Sequence, residues 1–162
     1  MASIFKQRSK NQLAHHIGEC TTATPQISIS TNIVHLWGGS TITTYDTVSD
    51  TKESITLDKP INQYADSISI GTRIYFLGGN CPLSADVFEA NLVSKKLIIK
   101  MPMLCKKFGH SLCSKNNSIY SIGGGNGAQS YTDCEVYNVA SNSWEGLAEL
   151  AEAKRYAAVV VH

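Results

Sequence analysis

The chain has 162 residues, of which 43% are hydrophobic and 17% charged, with a formal net charge of +1. That composition describes a folded domain with one core and excludes a disordered chain. A near-neutral balance also lacks the basic excess that grips phosphate backbones or anionic lipid, so neither nucleic acid nor membrane is expected as a partner.

Residues 1–25 read as a polar N-terminal arm. It opens MASIFKQRSKNQ, with no apolar run long enough for a secretory signal, and no segment reaches the ~18 apolar residues of a membrane span. The five cysteines, Cys20, Cys81, Cys105, Cys113 and Cys134, form no CxxC pair and fit no zinc spacing. Free thiols in a reducing cytoplasm are the expectation.

From residue 26 onward the chain repeats. SISTNIVHLWGG (28–39), SISIGTRIYFLGG (67–79) and SLCSKNNSIYSIGG (111–124) each give a short alternating strand, a polar turn, a second apolar strand and two glycines. Gly38-Gly39, Gly78-Gly79 and Gly123-Gly124 stand 40 and then 45 residues apart, the period of a supersecondary unit. Each pair is followed by an apolar or aromatic strand: TITTYDTV (41–48), ADVFEANLV (85–93) and TDCEVYNVA (132–140). Tyr45, Phe88 and Tyr137 take matching places in them. Trp144 comes seven residues after Tyr137, and Leu97 and Ile55 stand near that place in the earlier units. Four short β-branched and aromatic strands per unit, divided by Gly, Asn, Ser and Asp turns, predict four-stranded antiparallel sheets and an all-β fold. The units run about 26–65, 66–108 and 109–155. YAAVVVH (156–162) matches FGHSLCS (108–114) and is predicted to be the first strand of a fourth. LAELAEAKRYAAV (147–159) has the composition of a helix, but its place in the repeat predicts a loop and then a strand.

These repeats resemble the kelch family of β-propellers over residues 26–162. On that likeness the glycine pairs end inner strands at a crowded turn near a central channel. Tyr45, Phe88, Tyr137 and Trp144 then fill the wedge between neighbouring blades. Ile55 and Leu97 at the Trp position, and a short first unit, depart from the pattern. Propellers typically have 4–8 blades, so about three units imply an incomplete ring. A truncated product, a fragment, and a half-ring completed by self-association through an open blade edge all remain open. The resemblance implies a non-enzymatic module that binds another protein, of the substrate-recruiting or cytoskeletal kind, with no cofactor. An alternative class is a fragment of a propeller enzyme resembling copper-radical oxidases, which draw Tyr, His and Cys from several blades.

Loops carry function in a rigid scaffold, and 56–66, 98–107 and 145–156 fall on one rim. Lys107, Arg155 and Tyr156 recur at that edge, and Arg and Tyr are favoured at interface hot spots, so these three are the predicted partner-binding residues. Other motifs read as structural. Gly123–Gly127 lacks the helix N-terminus and Lys that a phosphate loop needs. His15, His16, His35, His110 and His162 show no spacing of converging metal ligands. Asn116-Asn117-Ser118 is a chance match to a glycosylation sequon. Cys105 stands apart because Lys106 and Lys107 would lower its thiol pKa.

Overall fold

The computed structural model describes residues 32–161. Eleven strands and no helix occur among them, arranged in three antiparallel sheets in chain order. Blade 1 has β1 (Ile33–Gly38), β2 (Thr41–Asp46) and β3 (Thr51–Thr56). Blade 2 has β4 (Asp66–Ile70), β5 (Arg73–Leu77), β6 (Val87–Asn91) and β7 (Lys96–Ile99). Blade 3 has β8 (Ser111–Lys115), β9 (Ser118–Ile122), β10 (Cys134–Asn138) and β11 (Ser143–Gly146). The remaining strand expected in the first unit, along with the N-terminal arm, His15, His16, Cys20 and His162, lies outside the described residues.

The segment with helical composition is irregular throughout. Leu147, Leu150 and Lys154 donate their N–H groups to the carbonyls of Cys134, Thr132 and Tyr131, so blade 3 itself consumes the donors a helix would use. The strand expected at 156–162 is not formed over 156–161. Tyr156 N–H bonds to Gly109 and the Ser111 hydroxyl bonds to the Ala157 carbonyl. No ladder forms beyond these contacts, and a strand exists only through its hydrogen-bonded partner.

The third and fourth strands of every blade are joined by the same turn. Asp46, Asn91 and Asn138 each accept two backbone N–H groups, from the residues two and three positions on. Each turn then passes through the left-handed region, at Asp50 (φ 56°), Lys95 (φ 58°) and Asn142 (φ 51°). Short Asx side chains favour this geometry because they replace a missing backbone bond. Asn116 and Asn117, with φ 51° and 60°, make the tight hairpin between β8 and β9. The sequon residues thus have a turn to make.

The ladders correct two equivalences drawn from the sequence. Tyr45 pairs with Val34 and Lys52, and Tyr137 with Ile119 and Trp144, so the two tyrosines do correspond. In blade 2 the corresponding residue is Ala90, between Ile74 and Leu97, and not Phe88. Leu97 does hold the Trp144 place, but in blade 1 Lys52 holds it and Ile55 lies three residues further on. Blade 1 joins its strands through Gly39-Ser40 alone, whereas residues 78–86 and 123–133 make long loops in the others. Counting forward from the glycines therefore loses register.

Each blade packs its two faces differently. The face of blade 1 carrying Trp37, Ile42 and Ile55 meets the face of blade 2 carrying Ile74, Phe76, Ala90 and Leu97. Trp37 lies edge-on to Phe76 with centroids 5.1 Å apart and donates to Ser67 Oγ at 2.9 Å. The other face of blade 2, with Tyr75, Leu77 and Val87, meets Ile119, Tyr137 and Trp144 of blade 3. Trp144 satisfies its indole N–H on the Met101 carbonyl at 2.9 Å. Burial of each large apolar side chain here contributes about 1.5–3 kcal/mol.

Candidate protein-binding rim

The segments that lead from one blade to the next pass across the glycine pairs, which explains why there are two. Gly78, at φ 67°, lies where a Cβ would overlap the carbonyl oxygen of Lys107, in the connector leaving blade 2. A Cβ on Gly79, at φ 119°, would come within 2.7 Å of the Gln63 carbonyl, in the connector entering that blade. Gly123 and Gly124 are squeezed in the same order by Lys154 and by Phe108 with His110. Glycine is required because every other residue would strike main chain that cannot give way. The expected crowded turn is there in blades 2 and 3. At Gly38 and Gly39 a Cβ would meet nothing within 4 Å among the described residues.

These contacts align the connectors. The Lys107 carbonyl accepts from Gly79 and the Lys154 carbonyl from Gly124, so Lys107 recurs as Lys154, Phe108 as Arg155 and Gly109 as Tyr156. The Asn80 N–H bonds to Gln63 as the Gly125 N–H bonds to Phe108, which makes Tyr64 the third member of the Gly109 set. All three have left-handed backbones: Tyr64 φ 57°, Gly109 φ 63° and Tyr156 φ 55°. Glycine suits that conformation, and tyrosine does not. Both tyrosines are nevertheless exposed, at 62% and 68%, one on each side of the buried Phe108 ring. The ring centroids are 6.0 Å apart for Tyr64 and Phe108, and 6.2 Å for Phe108 and Tyr156. Arg155 extends this ridge and donates to the Gly127 carbonyl at 3.2 Å.

Of the residues predicted at this rim, Arg155 and Tyr156 are exposed and adjacent to the ridge, but Lys107 is not on the surface. Its side chain is wholly buried, and Nζ lies 2.8 Å from Glu135 Oε1 on β10. The Glu135 carboxylate also accepts the Leu104 N–H at 2.8 Å. A buried cation is tolerable only with such a partner, and Glu135, 28 residues away in sequence, gave no local sign of being one. Beside it His110 has no side-chain exposure and lies 3.4 Å from Asp66 Oδ2. Burial, reinforced by the Lys107 cation, pushes His110 down to about 3, while burial pushes Asp66 up to about 6.

The other candidate sites resolve structurally. Cys105 is corrected: burial and then Asp133 raise its thiol pKa, and Lys107 opposes them only in part. Gly125 bridges Phe108 and Ser130 in a loop between strands. His35 faces blade 2, within 3.2 Å of Thr44 Oγ1, and burial lowers its pKa. Among the described residues no three His, Cys, Asp or Glu side chains converge as metal ligands would, and no helix is long and apolar enough to cross a membrane.

Antiparallel blades, stacked face to face and joined by connectors that cross paired glycines near the axis, define part of a β-propeller. Residues 107–151 match the kelch motif. The chain is similar to Kelch-like protein 38 of Mus musculus, at 29% identity over 110 residues, 63% of this chain and 19% of that protein. It is also similar to Kelch-like protein 25 of Homo sapiens, at 28% over 116 residues, and of Xenopus tropicalis, at 27% over 116 residues. Those matches cover 64% of this chain and 20% of either relative, so the chain spans about a fifth of the length of the curated relatives it matches. The kelch motif thus spans the connector into blade 3 and blade 3 itself, and the two preceding sheets repeat the same antiparallel blade architecture.

Proposed function

We propose that this chain is a non-enzymatic, cytoplasmic protein-binding module whose contact surface is the ridge Tyr64–Phe108–Tyr156 with Arg155 beside it. Lys107 supports the ridge from beneath through its bond to Glu135. The observation that carries the reading is the pair of exposed tyrosines in left-handed backbone. A non-glycine residue there costs roughly 1–2 kcal/mol, and burial returns little of it at 62% and 68% exposure. Strain kept at an exposed aromatic is characteristic of a ligand clamp. Tyrosine presents a large rigid face with a polar tip, and a neighbouring arginine adds directed donors, the combination that dominates interface energetics. The similarity to Kelch-like proteins supports the protein-binding reading.

The test is affinity capture from lysate with the wild-type chain and with Tyr64→Ala, Tyr156→Ala and Arg155→Ala, all checked for unchanged melting. A specific protein should be retained by the wild type and lost from the tyrosine variants. If the variants capture it equally well, the ridge is not the surface.

A further inference from the structure

Only one asparagine of the chain stands directly before a glycine: Asn126-Gly127, in the loop between β9 and β10. Asn126 Oδ1 accepts the N–H groups of Ala128 at 3.0 Å and of Gln129 at 2.9 Å. Asn91 makes the same two-donor turn, at 3.1 and 2.9 Å, and so does Asn138, at 2.9 and 3.0 Å. What separates the three is the residue that follows, which is Gly127, Leu92 or Val139. Gly127 is exposed, with φ 96°, and among the described residues its N–H has no hydrogen-bond partner. The N–H of Val139, by contrast, is held by the Asn117 carbonyl at 3.4 Å.

We infer that Asn126 is a site of self-modification, where the chain converts its own side-chain amide to a carboxylate with water as co-reactant. The Gly127 nitrogen attacks Asn126 Cγ and loses its proton to solvent. As the new N–C bond forms, negative charge develops on Oδ1, where the two N–H groups already aimed at that atom stabilise it. The Cγ–Nδ2 bond then breaks, ammonia leaves with a proton from water, and a cyclic imide remains. Water opens the imide at one carbonyl to give aspartate, or at the other to give isoaspartate. The net change consumes one water and releases one ammonia. Glycine permits the attack because it has no Cβ to crowd the approaching nitrogen, and the step gains from being intramolecular. Arg155 donates to the Gly127 carbonyl at 3.2 Å, so the carboxylate arises one residue from a held guanidinium and competes for its donors. The effect on binding through Arg155 rests on the rim proposed above, whereas the conversion itself does not.

The experiment is incubation of the folded full chain in mildly alkaline buffer, with peptide mass spectrometry following Asn91, Asn126 and Asn138 over time. Asn126→Asp keeps an acceptor for both N–H groups and serves as the chromatographic standard for the aspartate product. Asn126 should convert about tenfold or more faster than Asn91 or Asn138, which share its two donors but not its glycine. Equal rates at the three asparagines overturn the inference, and so does conversion of Asn126 confined to chain unfolded in urea. No partner protein enters the measurement, so a failure of the proposed rim would leave its result unchanged.

Discussion

Between blades 2 and 3 the wedge holds Tyr75, Tyr137 and Trp144 above a buried ion pair. Between blades 1 and 2 the same wedge is mostly aliphatic, with Trp37 edge-on to Phe76. The glycines differ in parallel: Gly78 and Gly79 are pressed by connectors on both sides, while a Cβ on Gly38 or Gly39 would meet nothing within 4 Å among the described residues. A polar device is used where the connector is pinned. Lys107 ties it to β10 through its ammonium and to Gly79 through its carbonyl, so one residue fixes both the blade angle and the channel turn. At the ladder position of Glu135, blade 2 has Phe88, with Lys59 Nζ 4.8 Å from the ring centroid. The lesson is that a shared backbone frame leaves each joint free to choose its chemistry.

The largest contrast is expected at the glycines. Gly78→Ala meets both a left-handed φ of 67° and the Lys107 main chain, and should cost about 3 kcal/mol or more, enough to unfold a marginal domain. Gly38→Ala meets no described residue within 4 Å and should change stability by less than about 1 kcal/mol, on either side of zero. Urea denaturation of both variants measures the difference. Equal losses would mean that the two glycine pairs do the same work after all.

Next comes the ion pair. Lys107→Met leaves the Glu135 carboxylate buried with the Leu104 N–H as its remaining donor, and should cost about 3–5 kcal/mol. Lys107→Met with Glu135→Leu should recover most of that loss, because two apolar groups need no partner. At the other joint, Lys59→Ala removes a cation–π contact of about 0.5–1 kcal/mol. A single-variant loss at Lys107 no larger than at Lys59 would show that the pair is solvated in solution.

What can be read from sequence follows from which features are local. A glycine pair is legible because φ above zero and close approach are demands on one residue, and all three pairs stand out. The Asx turns are equally legible, as DTVS, NLVS and NVAS at 46–49, 91–94 and 138–141, and set the register better than the glycines. Lys107 misleads because its partner comes from a distant strand, and a lysine beside a loop looks like any solvated rim residue. Tyr64 escapes sequence reasoning for a related reason. Its connector differs in length from the later ones, so its equivalence to Gly109 and Tyr156 shows only in hydrogen bonds and in φ.

The two joints also differ in how they should respond to acid, since each holds a histidine facing the neighbouring blade. His110 in the folded chain titrates near 3 instead of 6.5. Between those values the unfolded chain binds a proton that the folded chain refuses, so stability falls as the pH drops through the window. By pH 5 that loss amounts to about 2 kcal/mol. Asp66 acts in the opposite sense: raised from 3.8 to about 6, it holds a proton in the folded chain that the unfolded chain has already released, so acidification through 6 favours folding. Thus Asp66→Asn should steepen the acid loss, and His110→Gln should flatten or reverse it between pH 6.5 and 5. His35 is also lowered by burial but remains partly solvated against Thr44, so His35→Gln should change the profile less. Melting temperature against pH for the three variants tests the order. A His35→Gln profile flatter than that of His110→Gln would move the proton-sensitive joint from blades 2 and 3 to blades 1 and 2.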